Sequence, residues 1–351
     1  MPGINQKYLD EILGYQLDLR RLEAGTRKDV LKTLVAMQKE IVTKLSGATP
    51  LTEFTKVRQA ELLRQVNAIV SEYYSKAQAD FIKTTDTLAQ TQAEHLAKSM
   101  DKTLLPEAAI VLPTATTLAR VVGNVAVEGG PLSDWWGKLS SDTSFKLSNA
   151  IRQGAIQGET NQQIISRVTG KAGQPGILEV SRRNAAAVVQ TAMQTIANDS
   201  HLKLLEQNED VAPKIRFLTT FDSHTCSRCM SRAGLEWTTV SKDPVGHSIP
   251  FENPPIHVNC RCVLVGVTLT YKELGSNLPE PKIGTRASSE GQIRADTTAS
   301  GFFSRQSKAI QDEQLGVGRA QLFRDKKITL NDLIDGKGRE LTLAQLKSKY
   351  D

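Results

Sequence analysis

Residues 225–230 read TCSRCM and residues 257–262 read HVNCRC, and these two stretches hold all four cysteines of the 351-residue chain. A chain of this length can bury a sizeable core and needs no staple to fold. Cysteines gathered in this way therefore point to a local task. Cys226 and Cys229 form a CxxC pair, Cys260 and Cys262 a CxC pair, and His257 stands three residues before Cys260. CxxC lets two thiolates face one ion from a tight turn, and HxxC does the same from a second turn. Four soft or borderline donors on two turns suit tetrahedral zinc. Five candidates compete for four positions. One set is Cys226, Cys229, His257 and Cys260, with Cys262 packed beneath; the other is the four cysteines. Four protein ligands leave no position for water, so the expectation is one structural zinc per chain and no catalytic metal. Buried free thiols, a disulfide pair and a redox CxxC are the competing readings. The redox reading lacks a thioredoxin-like βαβ unit around the motif.

Outward from the cysteines, KIRFLTTF (214–221) alternates and is rich in β-formers, and RCVLVGVTLT (261–270) does the same; both read as strands. Between them lies a turn-rich stretch with Gly234, Pro244, Gly246, Pro250, Pro254 and Pro255. It is poor in large apolar residues, so a small module held by metal is expected there.

The remainder reads as helix. Leu62, Val66, Ile69, Tyr73 and Ala77 recur at spacings of three and four, and Leu31, Leu34, Val35, Ile41, Val42 and Leu45 give a similar stripe. SGATP (46–50) separates them, which predicts two long antiparallel helices between residue 6 and about residue 105, packed as a bundle core. Residues 106–131 read as a connector with a short helix. A new stripe runs from Leu132 through Trp136, Leu139, Leu147 and Ile151, Thr160 can cap NQQIISRV, and a long helix is expected over 177–207. It carries Ala185, Val188, Val189, Ala192 and Ile196 on one side. The fold class that follows is mainly α with a small zinc-stabilised β-containing module (α+β), long N-terminal helices and a helical C-terminal tail. The expected divisions are 1–130, 131–270, a Gly/Ser/Pro/Thr/Ala-rich linker at 271–300, and a tail at 301–351 whose short helices are separated by Gly316, Gly318, Gly336 and Gly338.

The net charge is +6, and its paired basic residues, Arg20–Arg21, Arg27–Lys28 and Arg182–Arg183, read as solvated helix faces. Aromatics at 5% argue against a stacking platform for bases. MPGINQKYLDEILG has no secretory pattern, and AAIVLPTATTLARVVGNVAV is interrupted by Pro113, Arg120 and Asn124, so neither a signal peptide nor a membrane span is expected. The expected setting is a reducing cytoplasm, where clustered cysteines mean metal more often than disulfide.

Asp222 followed by TCSRC, then Gly234, then PPIHVNCRC (254–262) running into a strand resembles the phage head morphogenesis family, minor head proteins of tailed phages related to the F protein of phage Mu. The family pattern ends in HPNCRC; here Val258 replaces its proline, while Pro254 and Pro255 precede the motif. RRNAAAVVQTAMQTIAND (182–199) looks like the family's Arg-to-Thr-to-Asn helix, with Arg183, Thr191 and Asn198 at the matching positions. Members often have Thr-Glu where this chain has Thr191 and Ala192, so no charge role carries over there. The resemblance covers about 130–268, and QLGVGRAQLF and ELTLAQL extend it to the tail; the first hundred residues carry none. It implies a low-copy structural protein of the virion, assembled in the host cytoplasm and sitting in the capsid interior near the portal, where it assists head assembly or DNA delivery. The implied partners are the phage portal protein and capsid or scaffold proteins. The spread charge allows only weak, non-specific DNA contact, and no membrane partner is expected.

Two other classes compete. GHSIP (246–250) with Asn253 resembles elements of a His-Asn-His nuclease, in which His247 would activate water. Against it, Gly246 stands where an acidic residue belongs, and the second cysteine pair opens a strand where that fold needs a helix. A zinc-ribbon DNA-binding protein is the third class. Asp222, His224 and Asn259 are expected to support the site by bonding to backbone or to metal ligands.

Overall fold

The computed structural model describes residues 6–48, 56–104, 109–222, 225–277, 279 and 284–350. His224, residues 49 and 50 of the SGATP break, the start of the 106–131 connector and part of the 271–300 stretch lie outside the described residues.

Two long helices, α1 (Gln6–Ser46) and α2 (Lys56–Thr103), are followed by α3 (Ala115–Gly123) and a minimal hairpin of β1 (Ala126–Val127) and β2 (Gly130–Pro131). Next come α4 (Leu132–Gln157), α5 (Asn161–Thr169), a second minimal hairpin of β3 (Gly170–Lys171) and β4 (Gln174–Pro175), and α6 (Ile177–Gln207). The cysteine region contains β5 (Lys214–Leu218), α7 (Ser227–Met230), β6 (Glu236–Thr238), β7 (Pro244–Val245) and β8 (Val263–Val267). The chain continues with β9 (Thr285–Ser288), β10 (Gly291–Arg294), α8 (Ala299–Phe303), α9 (Lys308–Leu315), α10 (Val317–Arg324) and α11 (Leu343–Tyr350). The fold is mainly helical with small antiparallel sheets, as the periodicities require.

The chain forms two compact units. One comprises residues 20–88 and 122–195 and is helical. Its part of α1 buries Val30, Leu34, Met37, Ile41 and Leu45, a run at spacings of three and four. Leu31, Val35 and Val42 of the expected stripe fall off this face, and Val35 is 39% exposed, because each lies about 100° around the helix from a buried neighbour. Tyr74, not Tyr73, continues the stripe on α2; the Tyr73 hydroxyl instead donates to Glu40 at 2.8 Å. The capping of α5 is reciprocal: the Thr160 hydroxyl accepts from the Gln163 N–H and the Gln163 side chain accepts from the Thr160 N–H. At Gly154 a Cβ would stand 2.2 Å from Ile164 Cδ1, so α4 and α5 pack there only over glycine.

The other unit comprises residues 1–19, 89–121 and 196–351. Its centre is an antiparallel sheet in the order β7-β6-β5-β8, with Arg216 opposite Glu236 and Phe217 opposite Leu264. β8 is buried throughout. Tyr8 and Ile12 of α1, Met100 of α2, and Leu204 and Leu205 of α6 share one apolar cluster with Phe217, Trp237 and Leu264. In β8 a Cβ at Gly266 would come 2.7 Å from Leu205 Cδ2 and 3.3 Å from Ala212 Cβ, which explains a glycine inside a strand. The cysteine segment is thus not without a core, as its composition suggests; Cys229, Cys260 and Cys262 belong to this cluster.

The stretch read as a linker contains the β9–β10 hairpin, held to the segment just after β5 where the Ser289 N–H donates to the Phe221 carbonyl at 2.9 Å. The tail helices build a second apolar cluster from Phe303, Leu315, Leu322, Phe323, Leu333 and Leu346, and Met230 of α7 completes it. Residues 196–351 fall in one compact unit.

Candidate metal centre

The TCSRCM stretch folds into α7, a single turn for which Cys226 is the N-cap; the Cys226 carbonyl accepts from the Cys229 N–H at 3.1 Å and the Met230 N–H at 2.9 Å. This winding brings the two CxxC sulfurs to one side. The chain leaves α7 through Gly234 at φ 82°, a left-handed conformation that glycine adopts without strain. Gly234 N–H then donates to the Phe217 carbonyl at 2.9 Å, docking the turn onto β5. In HVNCRC the His257 carbonyl accepts from the Cys260 N–H at 3.1 Å, and Asn259 takes φ 60°, a region that asparagine tolerates better than most residues. Both knuckles are thus closed by backbone bonds before any ion is considered.

The five expected side chains meet in two overlapping triads, Cys226–Cys229–His257 and Cys229–Cys260–Cys262; within each triad all ligand atoms lie within 4.8 Å of one another. Cys229 belongs to both. Its Sγ is 3.1 Å from His257 Nε2 and 3.7 Å from Cys260 Sγ, and Cys226 Sγ is 3.2 Å from the same Nε2. Cys229, Cys260 and Cys262 are buried, Cys226 is half-buried, and all four are free thiols. The disulfide reading has no support in this geometry. The cluster is able to hold a metal ion.

His257 Nδ1 lies 2.8 Å from the Val258 carbonyl, which can only accept, so Nδ1 carries a proton and Nε2 is the atom turned to the sulfurs. Hydrogen bonding within the cluster favours the charged forms of Cys226, His257 and Cys260 and the neutral form of Cys229. The Cys226 thiol is pushed down to about 4, chiefly by its bond to Cys229, and His257 is pushed up to about 10, chiefly by its bond to Cys226. Cys260 is held far below the usual thiol range, chiefly by its bond to Cys229, while the Cys229 thiol is pushed up, chiefly by its bond to Cys226. Burial pushes the Cys262 thiol well up.

Asp222 bonds to residues that flank the ligands. Its carboxylate receives two bonds from Arg261, at 2.6 and 2.7 Å, and one from the Thr225 hydroxyl at 3.3 Å. Arg261 sits between Cys260 and Cys262, so this pair clasps the two halves of the motif together. Asn198 adds a third tie: its side-chain N–H donates to the Cys262 carbonyl at 3.2 Å. Of the other two α6 positions singled out in the sequence, Thr191 donates to the Ala187 carbonyl, and exposed Arg183 pairs with Glu179.

Sequence reading missed how the tail grips α7. Asn331 donates to the Ser231 carbonyl at 2.7 Å, buried Arg232 donates to the Gly338 carbonyl at 2.8 Å, and Ser227 bonds to Glu340. Arg232 also pairs with Glu252 at 2.9 Å, beside Arg228. The tail partners lie 100 to 113 residues from α7 and Arg232, and no local spacing announces them.

His247 is fully engaged by backbone. Its Nε2 lies 2.8 Å from the Glu236 carbonyl, and its Nδ1 accepts from the Ile249 N–H at 3.1 Å, so neither nitrogen is left for water. Its ring stands edge-on to Trp237, whose Nε1–H donates to the Ile249 carbonyl at 2.8 Å.

The clasped CxxC and HxxC knuckles and the helix before them, which carries Asn198, lie in one continuous stretch of sequence. Residues 146–265 match the family described as Phage Mu protein F like protein. This F-like segment takes in α5, α6, β5, β6 and all five candidate ligands. Neither a curated protein nor a solved structure matches the chain. Among the described residues no helix is long and apolar enough to cross a membrane.

Proposed function

We propose that the protein is a structural component of a tailed-phage head, a minor capsid protein that works during head assembly at the portal, with its F-like segment held rigid by one zinc ion. The observation that carries this reading is the convergence of Cys226, Cys229, His257, Cys260 and Cys262 inside the segment that matches the family.

The donor set fits zinc. Two sulfurs each about 2.3 Å from a tetrahedral ion stand about 3.8 Å apart, and Cys229 and Cys260 stand at 3.7 Å. The protein would hold the ion with Cys226, Cys229, His257 and Cys260. Cys262 would lie beneath as a buried thiol. The ion would cross-link α7 to the loop before β8, a structural task. The Asp222–Arg261 clasp and the Val258 carbonyl would orient the donors.

The absence of enzymatic activity is part of the proposal. The engaged nitrogens of His247 argue against a nuclease base. A charge of +6 spread over 351 residues supports weak, salt-sensitive DNA contact at most. The partners would be the portal and other head proteins, and the location the interior of the virion. Co-expression with the portal protein of the same phage, followed by sedimentation, tests this reading. Co-migration at moderate salt is expected; separate migration at low and moderate salt would remove its functional content. Nicking of supercoiled plasmid that is abolished by His247→Ala would favour the nuclease class instead.

A further inference from the structure

The β9–β10 hairpin carries a charge that the metal centre does not use. Arg286 is only 5% exposed. Its Nη2 donates to the Thr219 carbonyl at 2.9 Å, and its guanidinium carbon lies 4.0 Å from the centroid of Phe221, which stacks on Phe302. Nε is buried with no hydrogen-bond partner, and among the described residues no carboxylate pairs with this arginine. One carbonyl and one aromatic face are thin compensation for a cation taken out of water. Burial draws its pKa down to about 10.

Arg286 lines a cavity of about 260 Å³. Leu218, Met230, Leu235 and Leu330 supply apolar wall, and Thr219 brings a buried hydroxyl that also has no partner. The other charged wall residues are committed: Arg216 to Glu236, and Asp296 to Arg294. Among the described residues, one positive charge is therefore left without a counterpart, inside a largely apolar space.

We propose that this cavity binds a monocarboxylate with an apolar body, with Arg286 taking the carboxylate and Leu218, Met230, Leu235 and Leu330 covering the chain. A single uncompensated cation matches a single negative charge, and the Asp296 carboxylate in the wall opposes a second one. The apolar lining gives the body of the ligand more to contact than a bare anion would find. This inference stands apart from the head-assembly reading and from the metal.

The test is titration of the full-length protein with hexanoate, acetate and inorganic phosphate, following the Met230 methyl signal by NMR in methionine-labelled protein. Hexanoate should saturate and bind at least about 10-fold more tightly than acetate, because its extra methylenes leave water; phosphate should bind most weakly. Arg286→Gln keeps a donor for the Thr219 carbonyl but removes the charge, and should weaken hexanoate at least about 10-fold. Should that variant fail to fold, Ala295→Leu, which fills the cavity and leaves Arg286 in place, should abolish the same saturation. Hexanoate that does not saturate, or that binds the folded variants as well as the parent, overturns the proposal. So does phosphate binding more tightly than hexanoate.

Discussion

Asp222→Asn opens the clasp between the two cysteine knuckles without touching a proposed ligand. The parent carboxylate takes two bonds from Arg261, at 2.6 and 2.7 Å, and the side chains of Arg261 and Asp222 are 22% and 23% exposed. Exposed ion pairs contribute about 0.2–1 kcal/mol, and removing one partner of a fully buried pair costs about 3–5 kcal/mol. A pair at this intermediate depth should be worth about 2 kcal/mol. Arg261 lies between Cys260 and Cys262, so the loss falls on the loop that must be ordered for metal to bind. Converted at about 1.4 kcal/mol per decade, zinc affinity should drop roughly 30-fold, within the roughly 10- to 100-fold range typical when groups that orient ligands are removed. Competition against a chelator of known affinity measures this, with far-UV circular dichroism to check that the helices persist. The double variant Asp222→Asn/Arg261→Gln should lose little more than the single one, because its members act as a pair. A change below about 3-fold in the single variant, or additive losses in the double, would refute the clasp as an orienting device.

Other outcomes follow from the same geometry. His257→Ala should reduce zinc retention under a competing chelator more than Cys262→Ser does, whereas equal or reversed sensitivity would favour the four-cysteine set. Cys229→Ser should be the most damaging of the cysteine variants, since Cys229 alone belongs to both triads; retention equal to that of Cys226→Ser would argue against its central place. Burial pushes the Asp199 carboxyl up to about 6, although Asn253 donates to it at 2.5 Å. A raised folded pKa favours folding below about pH 4 and loses that contribution as pH rises through about 6, so Asp199→Asn should raise stability near neutral pH by up to roughly 3 kcal/mol and by less in acid, measured by urea unfolding at several pH values. Gly266→Ala should lower stability by about 1–3 kcal/mol through its contact with Leu205, and an unchanged thermal midpoint would show that β8 and α6 can part.

The metal candidates were legible because knuckle spacing is a local property: ions are gripped by residues two or three apart, and that spacing survives in the string. The same holds for the Thr160 cap, the span of α6 and the strands that flank the cysteines. Periodicity gave a helix face only approximately. Leu31, Val35 and Val42 are as apolar as their buried neighbours, and only packing decides between them. Pairings such as Asp222 with Arg261, Asn331 with Ser231, and Arg286 with Thr219 were not legible, because their partners lie between 39 and 100 residues apart and carry no repeating pattern. The Gly- and Ser-rich composition of 271–300 suggested a linker, yet a short hairpin needs few apolar residues of its own when an arginine and a backbone bond fasten it to a sheet.

One zinc ion is proposed to hold the F-like segment. Elemental analysis of full-length protein, expressed with ample metal and purified without chelators, tests it most directly. The expected result is one equivalent of zinc per chain, lost together with the folded signal of residues 214–268 in Cys229→Ser while the helical signal persists. Less than about a tenth of an equivalent, in a protein whose cysteine region is nonetheless folded, would contradict it.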